Sequence, residues 1–156
     1  SLIRQARNYF ERALRLNASD AKSLSGLGMC ELQEGRVAEA YELIARALEV
    51  DPFQLVAILQ LLQCSYMLEK FDLLERVLIR YLDHTPSDIE MRYCLAGCYY
   101  KLGKIEDSRA QLKTVLLKNE THQGAVQLQQ ILDEQLATRD AYREAYSLPK
   151  LELGRF

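Results

Sequence analysis

The sequence predicts an all-α protein made of stacked helical hairpins, and three observations predict it. Cys30, Cys64 and Cys98 stand 34 residues apart, and so do Pro52 and Pro86. Between these markers apolar residues recur at helical spacing, first as Leu24, Leu27 and Leu32, then as Leu43, Ile44, Ala47 and Leu48. Only three prolines and seven glycines interrupt a chain rich in Leu and Ala, a composition that favours helix. A period of this length means a stack of similar units, each too small to bury its own apolar face.

The elements follow in order. Residues 1–20 form a half unit carrying Ala6, Phe10 and Ala13. In the unit 21–54, Asp20 is positioned to cap a first helix, Glu34-Gly35 breaks it, and a second helix begins near Ala38. Asp51-Pro52 stops that second helix, because a residue before proline disfavours the helical region. Units 55–88 and 89–122 repeat the plan: Thr85-Pro86 closes the former, Asn119-Glu120 the latter. Glu69 stands midway between Gly35 and Gly103, and Arg36, Lys70 and Lys104 follow one residue on. Residues 123–146 read as a long helix whose stripe of Ala125, Leu128, Leu132 and Leu136 would cover the open end of the stack. The remaining 147–156 read as an extended or disordered tail.

At Leu24, Leu27, Gly28, Ala40, Ala47 and Pro52 the unit 21–54 resembles the tetratricopeptide repeat. Leu95, Ala96, Tyr99, Ser108 and Val115 fit it more loosely, and Ala6, Phe10 and Ala13 fit the second helix of a repeat that lacks its first. The resemblance spans residues 2–122 and implies a right-handed superhelical solenoid of antiparallel helix hairpins, in one domain over 1–146. The middle unit departs from the pattern, since its three small-residue places hold Leu62, Leu74 and Tyr81. Extra volume at a packed contact costs about 1–3 kcal/mol, so three bulky residues together predict a wider helix pair and a local change of curvature.

Composition narrows the function. Apolar residues make up 49% and charged residues 27%, which excludes a disordered chain. The net charge of −2 and the lack of a dense Lys/Arg run argue against nucleic acid as partner. No membrane-spanning segment or leader is visible, and membrane insertion is not expected. The repeat-matched cysteines read as small buried residues in reduced form, which points to a cytoplasmic setting. Cys94 and Cys98, four apart on one helix, lack histidine partners for a metal site, His84 and His122 falling in turn regions. No nucleophile, phosphate-loop or zinc-hydrolase motif occurs, so neither catalysis nor a cofactor is expected.

The resemblance implies that the first helix of each unit lines an inner groove that holds a partner polypeptide. Carried over by position, the groove comprises Lys22, Ser25, Met29 and Gln33, then Val56, Leu59, Gln60, Gln63 and Met67, then Glu90, Tyr93, Cys94, Gly97 and Lys101. Tyr66 and Tyr100 flank it. The basic clamp by which relatives grip a terminal carboxylate is missing, so an amphipathic or apolar protein segment is the expected partner. The chain therefore reads as a non-enzymatic interaction module that scaffolds a complex. Two alternatives are a substrate-selecting segment of a larger enzyme, such as a transferase or kinase, and self-association into a homodimer.

Overall fold

The computed structural model describes residues 1–146, and the tail 147–156 lies outside the described residues. Among the described residues there are eight helices and no strand. They are α1 (Leu2–Leu16), α2 (Ala21–Gln33), α3 (Val37–Val50), α4 (Leu55–Leu68), α5 (Asp72–His84), α6 (Ile89–Lys101), α7 (Ile105–Lys118) and α8 (Gln123–Ala145). Each packs on its neighbours in sequence, so the core runs as a strip along a solenoid of helical hairpins.

Two kinds of turn join the helices, and both repeat. Within the hairpins, the N–H of Arg36, Lys70 and Lys104 donates to the carbonyl five residues back, at Glu31, Ser65 and Tyr99. Gly35, Glu69 and Gly103 precede these donors with φ of 78°, 54° and 74°. This is the Schellman ending, which requires a left-handed residue just past the helix. Between hairpins, the side chains of Asn17, Asp51 and Asn119 accept from the backbone N–H two residues on, at 3.1, 3.1 and 3.2 Å. Thr85 occupies the same place in the third such turn.

The small residues do the packing expected of them. Ala40 and Ala47 are fully buried, and a side chain on Gly28 would sit 3.0 Å from Ile44. In the hairpin α6–α7, the buried Ser108 hydroxyl donates to the Ala96 carbonyl at 2.7 Å. The middle hairpin is wider: the α4 and α5 backbones approach each other much less closely than those of α2 and α3 or of α6 and α7. Leu74 is fully buried there, Leu62 and Tyr81 are half-buried, and the Tyr81 hydroxyl donates to Asp88 at 2.8 Å.

The first helix is tied down by charge. Arg7 donates to Glu31 at 2.6 Å and to Glu34 at 3.2 Å, and Arg36 bonds both carboxylates from the other side. Phe10 lies over Gly26, where even a methyl group would come within 2.4 Å of its ring. At the opposite end, Ala125 and Leu132 are fully buried and Leu128 nearly so, while Gln127, Gln129, Gln130, Asp133 and Glu134 face solvent. Asp20 sits at the N-cap of α2, but its carboxylate accepts from the Ser23 hydroxyl and caps no backbone N–H.

Candidate binding groove

The first helices of successive units, α2, α4, α6 and α8, lie side by side along one face. The α2 and α4 backbones come nearer to each other than those of α6 and α8 do, and α4 and α6 stand furthest apart. A cleft of about 380 Å³ opens between α4 and α6, lined by Leu59, Leu62, Gln63, Tyr66, Tyr93, Cys94 and Gly97. Five of the sequence-predicted groove residues thus meet in one place: Leu59, Gln63, Tyr93, Cys94 and Gly97.

The helical register explains this convergence. Leu59, Leu62, Gln63 and Tyr66 are spaced three and four apart on α4, so they share a face. Tyr93, Cys94 and Gly97 do the same on α6. Gly97 keeps the cleft open, since a side chain there would meet the Tyr66 hydroxyl at 2.9 Å. Tyr66 leans edge-on against Phe71, with ring centres 5.1 Å apart. Tyr93 is braced from behind by His122 at 4.8 Å and by Gly124, whose missing side chain leaves room for the phenol. His122 caps α8, its Nδ1 accepting from the Ala125 N–H at 3.1 Å while its Nε2 faces Glu90 at 3.0 Å. With Nδ1 an acceptor, the ring carries its proton on Nε2, which donates to Glu90.

The other predicted residues are distributed differently. Lys22, Met29 and Gln33 are exposed on α2, away from the cleft. Val56 and Met67 are about half exposed toward the two ends of α4, Glu90 is exposed at the start of α6, and Lys101 is exposed at its end. Two expectations are corrected. Ser25 and Gln60 are buried and tie α2 to α4 rather than facing a groove. The Gln60 amide donates to the Ser25 carbonyl at 3.1 Å, and the Gln54 amide donates to the Ser25 hydroxyl at 3.0 Å. The close approach of α2 to α4 covers these side chains, which helical angle alone assigns to the surface. Leu62 and Tyr66 line the cleft although the sequence reading gave Leu62 a packing role and Tyr66 a flanking one.

Chemically the cleft is apolar with neutral hydrogen-bonding groups. Burial pushes the Cys94 thiol up to about 11, helped by Glu90 and Asp88, and burial also raises the Tyr66 and Tyr93 phenols. All three keep their protons near neutral pH, and the lining includes no carboxylate or imidazole. Among the described residues no group of three or more His, Cys, Asp or Glu side chains is placed to hold a metal ion. Beyond the Tyr66 ring lies a second cavity of about 650 Å³, whose lining includes Tyr41, Glu69, Lys70, Asp72 and Lys101. Lys101 Nζ stands 5.8 Å over the Tyr66 ring and 6.0 Å over the Tyr100 ring. Tyr100 in turn accepts from the Gln135 amide at 3.2 Å, which fixes it against α8.

A family model described as Tetratricopeptide repeat matches residues 2–54. Among solved structures, MamA superposes with a TM-score of 0.73 at 17% identity, over 88% of this chain and 81% of that one. YrrB, described as a TPR protein with an unusual peptide-binding site, gives 0.68 at 22% identity, over 79% of this chain and 63% of that one. The first TPR of Spaghetti (RPAP3), solved bound to an HSP90 peptide, gives 0.63 at 19% identity, over 75% and 93%. At these identities the likeness is one of fold. No curated protein sequence matches the chain.

Proposed function

We propose that this chain, which matches a tetratricopeptide-repeat model over residues 2–54, is a non-enzymatic interaction module that holds a partner polypeptide against α4 and α6 and so organises a complex. The observation that carries this reading is the α4–α6 cleft, where apolar surface lies open beside the neutral hydrogen-bonding groups of Gln63, Tyr66 and Tyr93. On α4, Val56, Leu59 and Met67 remain 47–58% exposed. Apolar surface gathered in one place marks a contact site more often than scattered residues do. Methionine and tyrosine suit such a site, the first by adapting its shape and the second by offering area at small entropic cost. Peptide binding by YrrB and by the Spaghetti repeat supports the same use of the fold. The four free cysteines agree with a reducing, cytoplasmic setting. Among the described residues no helix is long and apolar enough to cross a membrane.

The test is capture of partners from a lysate by the native chain and by a Leu59→Asp, Tyr93→Asp variant, with mass spectrometry of what is retained. Loss of specific partners, with helicity intact by circular dichroism, is expected. An unchanged set of partners from a folded variant would refute the groove.

A second reading, self-association, is favoured by α1. Leu2, Tyr9 and Leu16 recur seven residues apart on one face and are 84%, 68% and 91% exposed. Light scattering separates the two readings, because a monomer at high concentration excludes this one.

A further inference from the structure

We infer that the α4–α6 cleft anchors a single bulky aliphatic side chain of an extended segment, and that an acidic residue two positions away in that segment pairs with Lys101. This deepens the groove reading and rests on it.

The anchor follows from the shape of the recess. Leu59, Leu62, Cys94 and the rings of Tyr66 and Tyr93 line it, and the missing side chain of Gly97 leaves space before the Tyr66 hydroxyl. A volume of about 380 Å³ accommodates a leucine-sized group with some of its backbone. The neutral lining offers no counter-charge to a charged side chain, so an apolar one suits it better.

The acidic neighbour follows from where the free charge stands. Gly97 and Lys101 lie one turn apart on α6, so their Cα atoms are about 6 Å apart along the helix. Side chains on one face of an extended strand are two residues apart, or about 6.6 Å. A segment lying along α6 with its anchor at Gly97 therefore brings the next side chain on that face to Lys101. The ammonium is held over the rings of Tyr66 and Tyr100, and no carboxylate among the described residues lies within ion-pair distance of it. Glu69 and Asp72 share the cavity beyond Tyr66 with Lys70, whose ammonium lies 5.5 Å over the Tyr41 ring. With Lys101 counted, that cavity holds two carboxylates and two ammonium groups; neither carboxylate lies within ion-pair distance of Lys101, so its ammonium is open to an acid on the bound segment. Glu90, at the other end of α6, is already paired with His122.

The experiment is a titration of the labelled full chain, followed by backbone amide shifts in two-dimensional NMR. The probe is the capped peptide acetyl-Gly-Ser-Asp-Ala-Leu-Ala-Asp-Ser-Gly-amide, which has no terminal carboxylate and carries acid on both sides of the anchor. It is compared with the same peptide bearing Lys for both Asp, and with one bearing Ala for Leu. The expected result is a shift of the Tyr66, Gly97 and Lys101 amides by the first peptide, affinity about fivefold weaker for the Lys form, and no saturation by the Ala form; one exposed ion pair is worth a factor of that size. In the exposed-site variant Lys101→Glu the order of the two charged peptides reverses. Gly97→Ala closes the recess and removes the leucine dependence. Equal binding of the Asp and Lys peptides at the cleft would overturn this inference and leave the groove reading standing. So would leucine-dependent binding by a folded Gly97→Ala chain. No amide shift on α2, α4 or α6 from any of the three peptides would overturn both.

Discussion

Glu69 occupies a backbone position that the other two hairpins give to glycine, and Glu69→Gly is predicted to stabilise the fold. All three turns end in the same bond, from the N–H of residue 36, 70 or 104 to the carbonyl five back. All three place the preceding residue at positive φ, 78° and 74° for Gly35 and Gly103 but 54° for Glu69. A side chain in the left-handed region costs about 1–2 kcal/mol, from crowding of Cβ against the carbonyl. Glycine gives back about 0.5–1 kcal/mol of that through the greater freedom of its unfolded chain. Glu69 is exposed and forms no ion pair among the described residues, so its removal opens no cavity and orphans no partner. The net gain is about 0.5–1 kcal/mol, a rise of roughly 2–3 °C in melting temperature for a domain of this size. Urea unfolding of the native chain, Glu69→Gly and Glu69→Asn measures it. Asn, which tolerates the left-handed region, should fall between the other two. The mirror variant Gly103→Ala should lose about 1 kcal/mol. A Glu69→Gly chain no more stable than the native one would refute the reasoning, and would mean that the Glu69 side chain makes a favourable contact that offsets its strain.

Three further outcomes follow from the packing and the ion network. Burial alone would raise the Glu31 carboxyl, but its bonds to Arg36 and Arg7 outweigh this and hold it below its ordinary value of 4.5. Its contribution to stability is therefore complete above about pH 4.5 and is lost as pH falls through the lower folded value. Hydrogen exchange of α1 should accelerate below that point before exchange of α4 does, and Glu31→Gln should remove the difference. Burial raises the thiols of Cys94 and Cys98 to about 11 and about 12, so both should resist alkylation near neutral pH until the chain unfolds. Leu74 is fully buried in the wide middle hairpin, so Leu74→Ala should cost about 2–4 kcal/mol in chemical denaturation, because α4 and α5 cannot close over the cavity.

The fold was legible in the sequence because it is repetitive. A stack repeats its contacts, so Ala40 and Ala47 identify the close approach in one hairpin, and Ala96 and Ser108 mark it in another. The bulk of Leu62, Leu74 and Tyr81 foretold the wider pair by the same logic. Helical periodicity, however, describes one helix at a time, and the site depends on distances between helices. Nothing in α4 or α6 alone says that these two stand apart while α2 and α4 close up. Two differences follow from that. Ser25 and Gln60 have the angular position of surface residues, yet the approach of α2 to α4 buries them; the Gln60 amide donates to the Ser25 carbonyl, and the Ser25 hydroxyl bonds the Lys22 carbonyl and the Gln54 amide. Position 97 alone does not reveal a recess, because the recess depends on what faces it, the Tyr66 hydroxyl. The side-chain turns at Asn17, Asp51 and Asn119 recur at the repeat spacing, but the prolines mark only where helices stop and carry no sign of the hydrogen bonds that form the turn.

The irregular residues gather around one hairpin. Within the middle unit lie the strained Glu69, the bulky Leu62, Leu74 and Tyr81, and the tyrosine that walls the cleft; Gly97 faces that unit from the next. A strictly regular repeat would bring α6 against α4 as closely as α4 lies against α2, and no recess would form between them. The same chain that keeps small residues at the contacts of its outer hairpins has given them up in the middle one. The cost is a looser α4–α5 pair and a left-handed glutamate. A cleft walled by two tyrosines, and bordered by one free ammonium, stands in the place where regular packing would have filled the space. Stability and opening are thus set by the same departures. A variant that restores the small residues at positions 62, 74 and 81 together should tighten the middle hairpin and weaken binding at Gly97, even though only the first of those side chains borders the cleft.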